Sequence, residues 1–398
     1  MRWISGGVTA AHGFRAAGLS AGIKRSRKPD LALVAAEARA SAAAVFTKNQ
    51  VQAAPVLLSA ARIRSGYAQA VLINSGCANC MTGEEGLRDA RGLSRVAAES
   101  LGISEQDVLV ASTGLIGTRL PSARVRRAIP TLVSQLHRAR HGDAAAAILT
   151  TDLHIKEAAV ELPIGGRHVR LGGMAKGAGM IAPSMATMLC VVTTDAVIAP
   201  ALLNRLLREA AGRTFNRISI DGDMSTNDTL FALASGRSGI AIRPGGSAAG
   251  FSRMLEAVME RLARMLVKDG EGATRMMEIR VSGGRTDAEA QACARQIAGS
   301  LLVKTMLAGG DSNVGRIAAA AGASAARFTA RRLRIWIGDR LVVSQGAVLA
   351  ATQASVRPLL NRPEVDVRVD LGAGSGRGRM LTCDLTEDYV RINASYST

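Results

Sequence analysis

The run Lys176-Gly177-Ala178-Gly179-Met180-Ile181-Ala182-Pro183-Ser184-Met185-Ala186-Thr187-Met188-Leu189 contains the residues best suited to chemistry. A glycine-rich approach ends in one hydroxyl residue, Thr187, which opens an apolar run through Leu189, Cys190, Val191 and Val192. Such a run reads as a buried strand. The glycines and Pro183 upstream exclude a regular helix and allow a sharp turn. A threonine hydroxyl needs a base within hydrogen-bond reach before it attacks a carbonyl. Cleavage of the Ala186–Thr187 bond would supply one, because the freed α-amine has a pKa of roughly 8. The β-branch restricts χ1 and holds Oγ1 in a narrow range of directions. From spacing alone, Thr187 reads more readily as an ordinary strand residue following a loop.

Other residues have the right types without a decisive spacing. Thr113-Gly114 follows the apolar segment Val108–Ala111 and offers a hydroxyl and an unobstructed N–H at a strand end, although a Thr-Gly pair is also a common turn. Lys176 is one of only seven lysines. Thr150 and Thr151 precede Asp152 as a polar cluster that fits a helix cap. Glu271 lies between two glycines. Asp221 to Asp228 looks like a metal loop but lacks the remaining ligand spacing of a calcium site, and is expected to be a polar network near the active site. Cys77-Ala78-Asn79-Cys80 has no second pair or spaced histidines, so a zinc site is not expected. The five histidines all precede Thr187, and none sits in a triad-like motif.

The segment around Thr187 resembles the self-processing site of the ornithine acetyltransferase (glutamate N-acetyltransferase, ArgJ) family. The resemblance continues through Gly6–Ala11, Val45–Asn49, Ala53–Val56, Ser112–Gly117, Asp221–Asp228, Asp269–Thr274 and Asp388–Ala394 to the terminal Thr398. It implies autocleavage at Ala186–Thr187 into chains 1–186 and 187–398, two of each per assembly. It also implies acetyl transfer from N-acetylornithine to glutamate through an acetyl-Thr187 intermediate. In the implied site Thr113 and Gly114 form the oxyanion hole, and Thr150, Lys176, Thr187, Glu271, Asn393 and Thr398 hold substrate. No cofactor or metal is implied, although acetyl-CoA is a possible second acetyl donor in bifunctional members. A small-amide hydrolase of the same architecture is a further alternative. Cys77, Met224, Ser312 and Val314 depart from the residues usual in the family.

The elements that must position these groups read as an α/β fold. The resemblance specifies an N-terminal-nucleophile-type, self-processing ArgJ/DmpA-like fold with a smaller C-terminal α/β domain. Strands are expected near 68–73 and 108–111, with a turn at Ser112–Gly114. Helices are expected from Ser122 to about Arg138, after Asp143 as N-cap, and from Pro200 to about Gly212. A long amphipathic helix should end before Asp269, and another should start at Thr286 or Asp287. The tail beyond Leu333 looks strand-rich. A domain boundary is expected near residue 280, giving a catalytic domain 1–280 and a second domain 281–398.

The 398-residue chain is 48% hydrophobic and 21% charged, as in a globular enzyme. Five cysteines argue against a disulfide framework and for a reducing cytoplasm. No apolar stretch is suited to crossing a membrane. The net charge of +18 raises the question of nucleic acid. The arginines are spread along the chain without interleaved aromatics, so no nucleic-acid partner is expected.

Overall fold

The computed structural model describes residues 1–164, 166–182, 188–349 and 353–395. Thr187 and Ala186, the expected cleavage pair, and Thr398 lie outside the described residues.

Nine strands form the first sheet: β1 (Arg2–Ile4), β2 (Phe14–Leu19), β3 (Leu31–Phe46), β4 (Tyr67–Cys77), β5 (Val108–Leu115), β6 (Lys156–Ile164), β7 (Arg167–Lys176), β8 (Leu189–Thr194) and β11 (Thr229–Ala234). Their order is β1-β6-β7-β8-β11-β3-β4-β5, with β2 paired to β3. The apolar run after Thr187 becomes β8, all six residues of which are buried at the centre of this sheet. β8 pairs antiparallel with β7, Leu189 opposite Lys176, and parallel with β11. Its side chains alternate between two cores, as the two-residue period of a strand requires. Cys190 and Val192 join one cluster, and Leu189 and Val191 join the other. β9 (Val197–Ile198) and β12 (Ala241–Ile242) make a separate small ladder.

Helices cover the sheet. α1 (Ala54–Arg62), α2 (Gly83–Leu101) and α3 (Ser122–Ser134) share a core with β4 and β5 built on Leu72, Leu93, Val110 and Ile129. α4 (His141–Ala147) packs on β2 and β3. α6 (Gly246–Lys268) packs on β6 and β7 and α5 (Pro200–Arg213) on β3, and the two helices share one core; Leu255, Val258, Met259, Leu262 and Leu266 of α6 recur at helical spacing and are buried.

A second, seven-stranded sheet runs β10-β18-β13-β17-β14-β15-β16. Its members are β10 (Ile218–Ser219), β13 (Met276–Gly284), β14 (Arg334–Ile337), β15 (Arg340–Ser344), β16 (Ala347–Val348), β17 (Glu364–Asp370) and β18 (Gly376–Cys383). α7 (Asp287–Gly299), α8 (Leu301–Gly309), α9 (Gly315–Gly322) and α10 (Gln353–Leu360) accompany it, and α11 (Glu387–Ala394) closes the chain. Met277, Ile279 and Val281 of β13 face the helices, which share their core. The sheet draws strands from both sides of residue 280, which itself lies within β13.

Three local expectations differ from the structure. Ser112–Gly114 is not a turn: β5 continues to Leu115, because Gly114 (φ 128°) lies against Gly76 of the parallel strand β4. A Cβ on Gly114 would stand 2.3 Å from the Gly76 carbonyl carbon. The helix expected to reach Arg138 stops at Ser134, since His137 and Ala16 exchange backbone hydrogen bonds. Asp143 sits inside the first turn of α4, not at its cap, where its charge suits the helix dipole. Thr286 does cap α7, accepting from the Glu289 N–H.

Candidate active site

A cavity of about 380 Å³ opens at the C-terminal ends of β5 and β7. β5 supplies Thr113 and Gly114, and β7 supplies Lys176. Thr150 and Thr151 come from the segment after α4, and Glu271 from the turn after α6. Asn393 and Tyr389 reach in from α11. The six described residues expected to act therefore line one cavity, although their positions span residues 113 to 393.

Lys176 is the electrostatic centre. It is 3% exposed, and its Nζ donates to Thr113 Oγ1 at 3.2 Å. Burial lowers its pKa; the nearby Asp152 opposes that shift and Lys156 adds to it. Because Thr113 Oγ1 accepts from Lys176, its own proton is free to point elsewhere. Asn227 Nδ2 holds the adjoining Ser112 carbonyl at 2.8 Å, fixing this strand end from the other side.

Asp152 organises the floor. Its Oδ1 accepts from the Gly177 N–H at 2.6 Å and from Lys156 Nζ at 2.7 Å, and its Oδ2 accepts from the Thr150 N–H at 3.1 Å. Lys176 Nζ stands 4.0 Å away. Burial would raise the Asp152 carboxyl, but Lys176 and Lys156 override it and hold it at about 2. Lys156, 1% exposed, also binds Asp269 at 2.5 Å, and Asp269 meets His154 Nδ1 at 2.9 Å near the surface. A buried charge is tolerated only when paired and hydrogen-bonded, and here each has an opposite neighbour.

The opposite wall carries acids. Asn393 Nδ2 donates to Glu271 Oε2 at 2.8 Å. Glu271 is seated by its own N–H on the Ala178 carbonyl at 2.7 Å, close against Gly179. A Cβ on Gly179 would fall 2.3 Å from Glu271 Oε2, so only glycine leaves the carboxylate in place. Asp221 accepts from the Met180 and Ile181 N–H groups and from Tyr389 Oη at 3.3 Å. Burial, then Asp221, raises the Tyr389 phenol.

Met188 is the first described residue after Thr187. Its N–H donates to Asp228 Oδ1 at 3.2 Å, and its carbonyl accepts from Thr229. Burial pushes the Asp228 carboxyl well above the usual carboxylate range. The chain therefore re-enters the described fold beside Lys176, whose strand partner is Leu189.

Sequence reasoning missed Lys156, Asp269, Tyr389 and the hub role of Asp152. Lys156 carried only the signal of a rare lysine in an apolar strand, whereas Asp269 opens one block of the family resemblance and Tyr389 is the second residue of another. No histidine lines the cavity among the described residues. Among the departures, Val314 is buried in the second core, and the Met224 carbonyl accepts from Asn49. All five cysteines are free and buried.

No helix among the described residues is long and apolar enough to cross a membrane. Residues 15–398 match the model of the ArgJ family. The chain is 47% identical over 402 residues to the arginine biosynthesis bifunctional protein ArgJ of Symbiobacterium thermophilum, covering 100% of each chain. It is 47% identical over 390 residues to the Geobacter sulfurreducens protein of the same name, covering 97% of this chain and 99% of that one. A solved structure of ornithine acetyltransferase complexed with ornithine, from Mycobacterium tuberculosis, is 40% identical. It covers 47% of this chain and 99% of that chain, with a TM-score of 0.43. With its α/β architecture and a family match over nearly its whole length, the chain belongs to the ArgJ family of acetyltransferases of arginine biosynthesis.

Proposed function

We propose that the chain cleaves itself at Ala186–Thr187 and transfers acetyl groups from N-acetylornithine to glutamate. The observation that carries this reading is the convergence of Thr113, Gly114, Thr150, Lys176, Glu271 and Asn393 on one cavity, beside the point where β8 begins.

The freed Thr187 amine takes the proton of the Thr187 hydroxyl as Oγ1 attacks the acetyl carbonyl of N-acetylornithine. The oxyanion accepts from the Gly114 N–H and the Thr113 hydroxyl, whose proton is left available by the Lys176 donation. Collapse breaks the amide C–N bond, the amine passes its proton to the departing ornithine nitrogen, and acetyl-Thr187 remains. The glutamate amine then attacks that ester, and Thr187 is regenerated. Glu271 suits the side-chain ammonium of ornithine, and Lys176 suits the α-carboxylate shared by ornithine and glutamate. Thr150, Asn393 and Thr398 complete the pocket in this reading. Two copies each of chains 1–186 and 187–398, working in the cytoplasm, form the proposed enzyme, with catalytic domain 1–280 and second domain 281–398.

A second donor is also favoured, because the curated relatives carry the name bifunctional. Acetyl-CoA would acylate the same threonine. Purified protein given glutamate and N-acetylornithine should form N-acetylglutamate, and Thr187→Ala should reduce the rate by at least about four orders of magnitude. Thr113→Val should cost about 10²–10³ in kcat, as expected for one lost oxyanion donor. Acetate release independent of glutamate would replace this reading with the hydrolase. Glutamate acetylation from acetyl-CoA alone would establish the second donor.

A further inference from the structure

The outer face of the second sheet carries a row of arginines fixed by strand register. Arg280 on β13 stands opposite Arg379 on β18 and opposite Arg368 on β17, and Arg368 stands opposite Trp336 on β14. Directly opposed side chains have Cβ atoms about 5 Å apart, and like charges placed so are destabilising. β13 turns Met277, Ile279 and Val281 into the helical core, so Glu278, Arg280 and Ser282 point the other way.

Acids behind the row neutralise part of it. Arg379 makes a forked contact with Glu260 on α6 and reaches Glu278 at 2.8 Å. Arg280 meets Glu278 at 3.0 Å and Asp366 at 3.1 Å. Arg334 and Arg368 lie over the Trp336 ring, at 5.4 and 5.6 Å. In front of the row is a hollow of about 300 Å³, lined by Arg217, Arg280, Arg368, Arg377 and Arg379 with Val281, Ser282 and Gly378. No carboxylate is among those lining residues. Two of the five arginines also have no carboxylate partner for their guanidinium groups among the described residues. Arg217 donates Nε to the Gly212 carbonyl at 3.2 Å, and Arg377 uses only its backbone N–H, on Asp287 at 2.8 Å. Burial, then Arg379 and Arg213, lowers the Arg217 pKa, and Asp287 and Glu260 oppose that shift without contacting the guanidinium, so a further anion beside it would stabilise the cation.

We propose that this hollow is a binding site for a small phosphate-bearing anion, separate from the acetyl-transfer cavity. Arg217 and Arg377 bring to this concavity planar guanidinium groups not engaged with a carboxylate, a shape that matches phosphate oxygens, and the partly neutralised Arg280, Arg368 and Arg379 add positive charge around them. The volume suits a diphosphate or one nucleotide-sized headgroup rather than a protein segment. A second copy of this face is a poor occupant, since a two-fold contact would set arginine against arginine.

The test is calorimetry on the full-length purified protein in low-salt buffer, with inorganic pyrophosphate, AMP and coenzyme A titrated separately. Saturable binding of pyrophosphate is expected, weakened about tenfold by Arg377→Gln and again by Arg217→Gln. Arg88→Gln, on an exposed face of α2, should leave it unchanged. Comparing the three titrants separates a bare phosphate site from one that also grips a nucleoside. Since the Arg377 side chain has no partner among the described residues, folding of that variant is expected to be intact, and its thermal midpoint checks this. Absence of saturable pyrophosphate binding, or equal binding by wild type, Arg377→Gln and Arg217→Gln, would overturn the proposal.

Discussion

Two regions of this molecule concentrate charge, and they handle it in opposite ways. Beneath the candidate active-site cavity, Lys176, Asp152, Lys156 and Asp269 are almost wholly buried and alternate in sign. On the outer face of the second sheet, arginines outnumber the acids that serve them, and about half of the Arg280 and Arg368 side-chain surface is exposed. The contrast follows from dielectric. In a low-dielectric interior an unpaired charge is prohibitive, so the network beneath the cavity is closed. At the surface, water and salt screen the excess, so an open cluster survives and remains available to a ligand. Closure produces positioning, and openness produces binding capacity.

Breaking the closed network should have the largest effect. Asp152→Asn leaves Lys156 and Lys176 short of a buried counter-charge, and should destabilise the fold by about 3–5 kcal/mol in chemical denaturation. Its carboxylate also holds the backbone of Thr150 and Gly177, so surviving activity should show a raised KM as well as a lower kcat.

Acid should act on the same group with a smaller cost. The folded Asp152 carboxyl titrates near 2, below its ordinary 3.8. Its contribution is therefore present above pH 4 and is lost as the pH falls towards 2. A shift of this size corresponds to about 2–3 kcal/mol. Stability measured across that window should fall more steeply for wild type than for Asp152→Asn.

The open cluster should respond least. Arg280→Gln removes two ion pairs in which the arginine is half exposed, and relieves repulsion from Arg368 and Arg379 at the same time, so its stability change should stay within about 0.5 kcal/mol. A loss comparable to that of Asp152→Asn would show that the outer face is as closed as the interior, and would remove the contrast.

How far the sequence revealed each region follows from the same physics. The start of β5 and the apolar β8 are legible because composition and period define them, whereas β7 carries no such signal; Thr113, Gly114 and Lys176 stand out only because they lie in blocks that carry the family resemblance. Lys156 was not, because its partner Asp269 is distant in sequence and only the fold joins them. Thr113 and Gly114 were assigned to a turn because nothing local announces Gly76, whose missing side chain lets β5 continue. The arginine row was invisible for a related reason. Arg280, Arg368 and Arg379 look like scattered basic residues until strand register sets them abreast.

The central claim is that Thr187 becomes a chain terminus and a nucleophile. Intact mass of the purified protein, with N-terminal sequencing of any fragment, tests it most directly. Two fragments are expected from the wild type, one beginning Thr187-Met188-Leu189, and a single chain from Thr187→Ala. A wild-type protein that remains one uncut chain while forming N-acetylglutamate would contradict it.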